Sequence, residues 1–237
     1  MEKWAKEFIS WCDHHKISVP RTQEELLALK VFEAKGKNLT SIHQNIAYLK
    51  NLYRIVLDHN MLSTLPPLPR RVNAVSLSHN LFREVPQGIR NLRNLHTLII
   101  SHNSIEALPQ WLEEFKTLHL LDIVNNKITS LQNLSKNTEL KILLASDNKI
   151  KDISPIYNLT ELKIFDFSDN KVTEFDKRIR NLKHLKFFSG LDNKITRFDM
   201  LFLLSNIKVY LQPSKTPKLK ATEFLRYLTK KLHLKIA

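Results

Sequence analysis

Apolar positions along this chain recur in one phrase, L-x-x-L-x-L-x-x-N-x-L-x-x-L, which returns every 20 to 23 residues. Leu95, Leu98, Ile100, Asn103, Ile105 and Leu108 spell one clear copy, and Leu118, Leu121, Ile123, Asn126, Ile128 and Leu131 the next. The asparagine falls at Asn60, Asn80, Asn103, Asn126, Asn148, Asn170 and Asn193, with successive spacings of 20, 23, 23, 22, 22 and 23. An upstream copy runs Leu29, Phe32, Ala34, Leu39, Ile42 with Lys37 in the asparagine place, and a degenerate one downstream keeps Val209 and Leu211. Alternating apolar residues such as Leu98 and Ile100 predict a short strand with one buried face. Such a strand is unstable alone and gains its neighbours by stacking.

The segments between strands carry a second pattern, apolar residues three apart: Ile46 and Leu49, Ile89 and Leu92, Leu112 and Phe115, Ile156 and Leu159, Ile179 and Leu182. This spacing predicts short helical or 3₁₀ turns on the convex side, each laying two side chains onto the strand layer. The 20-residue copy, Leu65-Pro66-Pro67-Leu68-Pro69, has no room for a helix.

The residues of this phrase resemble leucine-rich-repeat proteins over about residues 29 to 214. The resemblance implies an α/β right-handed solenoid of about eight or nine turns, with a parallel β-sheet on the concave face and helical caps at both ends. It also implies that each asparagine turns inward and bonds backbone groups of adjacent turns. Lys37 cannot do so, because an ammonium buried without a partner is too costly. The first copy is therefore expected to bend outward or to be covered by the N-terminal segment. The proline-rich copy looks like repeats of bacterial secreted effectors, and the longer copies look like bacterial and phosphatase-regulator types.

Three domains follow. Residues 1–28 form an N-terminal helical cap, with Trp4, Phe8, Trp11 and Cys12 at helical spacing and Thr22-x-x-Glu25 as a capping box. Residues 29–214 form the solenoid. Residues 215–237 form a C-terminal helical cap, with an amphipathic stripe of Leu225, Leu228, Leu232 and Ile236 covering the last strand.

Composition narrows the chemistry. No apolar run approaches the roughly 18 residues of a membrane helix. Three glycines in 237 residues, Gly36, Gly88 and Gly190, are too dispersed for a phosphate loop, a dinucleotide fingerprint or a nucleophile elbow. The single cysteine, Cys12, excludes an intrachain disulfide and multi-cysteine metal sites, which fits a reducing compartment. The start of the chain lacks the apolar core of a secretory signal, so a cytoplasmic location is expected, or translocation into a host cell by a specialised secretion system. Net charge is +14, and residues 208–237 carry eight Lys and Arg against one Glu, half of that excess. Lys215, Lys218, Lys220, Arg226, Lys230, Lys231 and Lys235 could meet a membrane surface or nucleic acid, although a solvated cap face is the simpler account.

Stacked strands place equivalent positions in columns. The column before the asparagine reads His59, His79, His102, Asn125, Asp147, Asp169, Asp192, and the one before that Asp58, Ser78, Ser101, Val124, Ser146, Ser168, Leu191. Strand centres give Val56, Ser76, Ile99, Asp122, Leu144, Asp166, Ser189 and Tyr210, preceded by Arg54, Thr97, Leu120, Ile142, Ile164 and Phe187. The partner-binding set on the concave face is accordingly Arg54, Val56, His59, His79, Thr97, Ile99, His102, Leu120, Asp122, Ile142, Leu144, Ile164, Asp166 and Phe187. Its apolar members are expected to be exposed anchors within a charged rim. Side chains projecting in parallel do not converge on an ion, so the three histidines suit a pH-sensitive contact strip better than zinc.

The expected function is non-catalytic: a protein-protein interaction module that binds a partner protein on its concave face, plausible as a bacterial effector acting in a host cell. A cytoplasmic, phosphatase-regulator-like adaptor is the alternative, and binding of anionic lipid or nucleic acid through the basic segment is third. No enzyme activity, cofactor, metal or small-molecule substrate is expected, and the chain should be a monomer.

Overall fold

A computed structural model of the chain describes residues 1–196 and the strand 208–210. Three-residue strands repeat along it: β1 (Val31–Glu33), β2 (Arg54–Val56), β3 (Ala74–Ser76), β4 (Thr97–Ile99), β5 (Leu120–Asp122), β6 (Ile142–Leu144), β7 (Ile164–Asp166), β8 (Phe187–Ser189) and β9 (Lys208–Tyr210). They form one parallel sheet in chain order, each strand beside its sequence neighbour. Pairing follows the repeat, so Thr97, Leu120, Ile142, Ile164 and Phe187 align in one column. Ile99, Asp122, Leu144, Asp166 and Ser189 align in another. The middle residue of each strand faces the other way, and Ile55, Leu98, Leu121, Leu143, Phe165 and Phe188 are fully buried in the core behind the sheet.

What ends each strand is a change of backbone sign. His59, His79, His102, Asn125, Asp147, Asp169 and Asp192 all have φ between 52° and 56°, and Gly36 occupies the same place at 64°. Left-handed backbone is unfavourable for most residues and best tolerated by Gly, Asn, Asp and His. The next residue then turns inward. Asn126 shows the pattern: its carbonyl oxygen accepts the Ile105 N–H at 2.9 Å, while its amide donates to the carbonyls of Ile100, Ile123 and Val124 at 3.0, 3.1 and 3.3 Å. Asn60, Asn80, Asn103, Asn148, Asn170 and Asn193 repeat it, each tying its own turn to the preceding one. Bends that would strand backbone groups inside the core are thereby satisfied.

On the convex side, 3₁₀ turns at Gln44–Tyr48, Gln87–Ile89, Gln110–Glu114, Gln132–Leu134, Ser154–Asn158 and Lys177–Asn181 connect the strands. Their paired apolar residues close a local bond, as from the Leu49 N–H to the Ile46 carbonyl, and both side chains are buried. Between β2 and β3 the proline-rich copy forms no helical turn. It lies so close to its neighbour that a Cβ on Gly88 would meet the Pro66 and Leu65 carbonyl oxygens at 2.3 and 2.5 Å.

The N-terminal cap consists of α1 (Lys3–His14) and α2 (Gln23–Ala28). Phe8 stands 5.7 Å from Phe32, ring to ring, and buries the open end of the sheet. Thr22 opens α2 by accepting the Glu25 N–H at 3.2 Å and donating its hydroxyl to the Glu25 carboxylate at 2.9 Å. Of the two outcomes expected at Lys37, coverage by the N-terminal segment is the one found. Its backbone N–H donates to Asn60 Oδ1, and its ammonium points outward and donates to the Lys16 carbonyl at 2.8 Å. The stripe Leu225 to Ile236 and the basic positions from Lys215 to Lys235 lie outside the described residues. Among the described residues, no helix is long and apolar enough to cross a membrane.

Candidate partner-binding face

The concave face divides into an open half and a closed half. On β2 to β4, Arg54, His59 and His79 are exposed, and Thr97, Ile99 and His102 are half-buried. Val56 is buried between its strand neighbours. The imidazoles of His59, His79 and His102 stack face to face, with centroids 4.2 and 4.0 Å apart and planes within 11° and 7°. Rings stacked in this way aim their nitrogens in parallel and not at a common point, and among the described residues no cluster could hold a metal ion. Desolvation holds His79 and His102 below the usual imidazole range. The charge that His102 and His59 would carry adds to the effect at His79, while Asp147 partly offsets it at His102.

On β5 to β7 the expectation of exposed apolar anchors is corrected. Leu120 and Ile142 keep 4% exposure, Leu144 1% and Ile164 none, and with Val124 they form a hydrophobic cluster separate from the main core. Half-buried Ile99 and Phe187 pack against its two ends. Asp122 lies among these residues at 2% exposure, accepting the Val124 N–H and the Ser101 hydroxyl, each at 3.0 Å. Burial pushes its carboxyl up to about 6. Asp166, half-buried, is raised for the same reason, against the pull of hydrogen bonds from the Ser168 hydroxyl and N–H at 2.7 and 3.0 Å.

These carboxylates belong to a polar ladder that the sequence columns did not reveal. Asp58 accepts the Ser76 hydroxyl at 2.6 Å and the Ser78 N–H at 2.9 Å; Ser78 and Ser101 share a hydroxyl bond at 2.9 Å, and Ser101 reaches Asp122. The serine hydroxyls are thus engaged with one another and with carboxylates, leaving the neighbouring imidazoles without a nucleophile to activate. Cys12 is fully buried, and its thiol is pushed up to about 12 by burial and by Asp13.

Two further features escaped the sequence reading. Met61 and Leu81, each just after a ladder asparagine, are 44% and 57% exposed beside the histidine stack. Later repeats put Lys127, Lys149, Lys171 and Lys194 in that place, so the switch from apolar to basic along one column was the available signal. A shallow groove of about 730 Å³ runs along the strand-start edge, lined by Lys30, Asn51, Tyr53, Arg71, Asn73 and His96.

No protein-family model and no curated protein sequence matches the chain. Solved structures do. Internalin C2 of Listeria monocytogenes superposes with a TM-score of 0.74 at 24% identity, over 89% of this chain and 93% of that one. This chain has the leucine-rich-repeat fold. A leucine-rich-repeat protein of Leptospira interrogans gives 0.62 at 21% identity, over 87% and 67%. A plant peptide hormone receptor, RGFR1, solved in complex with RGF2, gives 0.63 at 22% identity, over 82% and 38%.

Proposed function

We propose that this leucine-rich-repeat chain is a non-catalytic module that binds a partner protein on its concave face. The observation that carries the reading is the open half of that face. There a column of three stacked imidazoles, the Arg54 guanidinium and the exposed Met61 and Leu81 stand on a rigid strand array. Rigid elements present such groups at little entropic cost, and apolar anchors beside charged groups are the usual anatomy of an interface. The plant receptor solved with RGF2 shows this fold holding a peptide hormone. The likeness to proteins of Listeria and Leptospira supports the finer reading of a bacterial protein, and an effector role inside a host cell is proposed on that basis.

Affinity capture followed by mass spectrometry tests the reading, with the full chain compared against Arg54→Glu/Leu81→Asp. Both residues are exposed, so the melt should be unchanged while a specific protein is lost from the captured set. Equal capture by both forms refutes concave-face binding.

A further inference from the structure

On the inner face of a parallel sheet, neighbours about 4.8 Å away enclose a side chain's flanks but leave its tip facing outward. Val56 shows how far flanking alone goes: between Glu33 and Ser76 this short side chain keeps 7% exposure. The longer Ile164 keeps none, and Leu144 1%. Closure is local, since Thr97 and Ile99 on β4 and Phe187 on β8, in the same columns, remain half-buried. Among the described elements, the contacts of β5, β6 and β7 are with neighbouring strands. Flanking does not close the tips of these residues, so a further layer is required over β5 to β7.

We propose that residues 215–237 of this same chain are that layer, with the Leu225, Leu228, Leu232 and Ile236 stripe seated on the concave cluster. Spacings of three and four give the segment one apolar stripe able to match an apolar patch. Charge is complementary. Seven Lys and Arg lie between residues 215 and 235, and the face from β5 to β8 carries Asp122, Asp147, Asp166, Asp169 and Asp192. Reach is sufficient, because β9 ends at Tyr210, fifteen residues before Leu225. Those residues span over 20 Å even at the helical rise of about 1.5 Å, and the cluster's centre on β6 is three strand intervals, about 14 Å, from β9. Tethering also gives the segment a millimolar effective concentration that a separate molecule rarely matches. The segment then lines the groove and does not merely lid the last strand. Its regulatory consequence rests on the partner-binding reading above: a partner reaching beyond the histidine half must displace it.

The test is side-chain footprinting by hydroxyl radicals on the full chain, wild type against Leu228→Glu/Leu232→Glu. Oxidation of Leu120, Ile142 and Ile164 should rise at least about fivefold in the variant, while that of core residues such as Leu98 stays level; equal labelling overturns the proposal. Zero-length carbodiimide cross-linking of the wild type supplies a readout without substitution. Amide bonds joining a lysine of 215–235 to Asp147, Asp169 or Asp192 within the monomer, insensitive to tenfold dilution, support the proposal. Links found only in a dimer, or none at all, overturn it. Capture by Arg54→Glu/Leu81→Asp separates this outcome from the function: if labelling responds but capture does not, the intrachain contact stands and the partner-binding reading fails. The reverse result leaves the partner-binding reading standing without the intrachain contact.

Discussion

Replacing Asp122 by asparagine should stabilise the protein, and only above a defined pH. The carboxylate sits at 2% exposure among Leu120, Leu144 and Val124, with two hydrogen bonds, from the Val124 N–H and the Ser101 hydroxyl. Burial raises its folded value from 3.8 to about 6. The native state therefore binds this proton more tightly than the unfolded chain does. Its contribution is favourable below about pH 4, declines as pH rises to about 6, and stays flat beyond. At about 1.4 kcal/mol per pH unit, the span corresponds to about 3 kcal/mol at neutral pH. Asparagine preserves the contacts: its oxygen accepts from Val124, and its amide donates to Ser101 Oγ, whose proton can turn to Ser78 Oγ at 2.9 Å. Urea unfolding of both forms at pH 4, 5, 6 and 7.5 measures the difference, and carboxylates common to the two cancel. Asp122→Asn should be more stable by up to about 3 kcal/mol at pH 7.5 and equal near pH 4. A difference that does not change with pH would refute the reasoning.

The ladder amide can be tested at Asn126→Ala, which leaves the buried Ile105 N–H and several carbonyls without partners. At about 1–3 kcal/mol per orphaned group, unfolding free energy should fall by about 3 kcal/mol or more, and a loss below about 1 would show the ladder to be redundant. Gly88→Ala drives a methyl into the Pro66 and Leu65 carbonyls, fixed backbone that cannot swing away; a loss of about 2 kcal/mol in thermal or urea unfolding is expected. By NMR, His79 and His102 should titrate below 6.5, and His102→Gln should raise the His79 midpoint by removing a stacked cation. Because both are held neutral in the native state, their contribution is full above pH 6.5 and is lost as pH falls. Cys12, its thiol pushed up to about 12, should resist maleimide at pH 8 until the chain unfolds, so labelling of folded protein at the free-thiol rate would contradict its burial.

Periodicity made the fold legible because each repeat restates the same constraint. Strand register follows from the asparagine spacing, and the inward middle residues such as Leu98 and Phe165 follow from alternation. Triplets such as Leu112 and Phe115 reported the 3₁₀ turns for the same reason. The face was less legible. Leu120, Ile142 and Ile164 occupy column positions that read as exposed, but exposure depends on what lies above a column, which no local pattern encodes. The serine and aspartate ladder was equally hidden, since bonds such as Ser78 to Ser101 cross between turns and depend on rotamers. Met61 and Leu81 looked like single surface residues until their place beside the histidines was known.

The column ahead of the asparagines shows how a structural constraint and a recognition surface share positions. Its left-handed backbone, with φ near 54° throughout, restricts these sites to residues that tolerate that conformation, so the presence of His, Asn and Asp needs no partner to explain it. The distribution of those residues is a separate matter. Conformation accepts any of the three at any turn, yet imidazoles occupy His59, His79 and His102 and carboxylates occupy Asp147, Asp169 and Asp192. Sorting them this way gives the face a protonatable end beside Arg54 and an anionic end beside the buried apolar cluster. Each imidazole added to the stack makes the next harder to charge, so near neutral pH the first half presents flat aromatic faces more than positive charge. A ligand of the open half would then meet stacked rings, Met61 and Leu81, whereas one of the closed half must bring cations. The chain's own basic C-terminal residues fit the second description, which leaves the first for another protein.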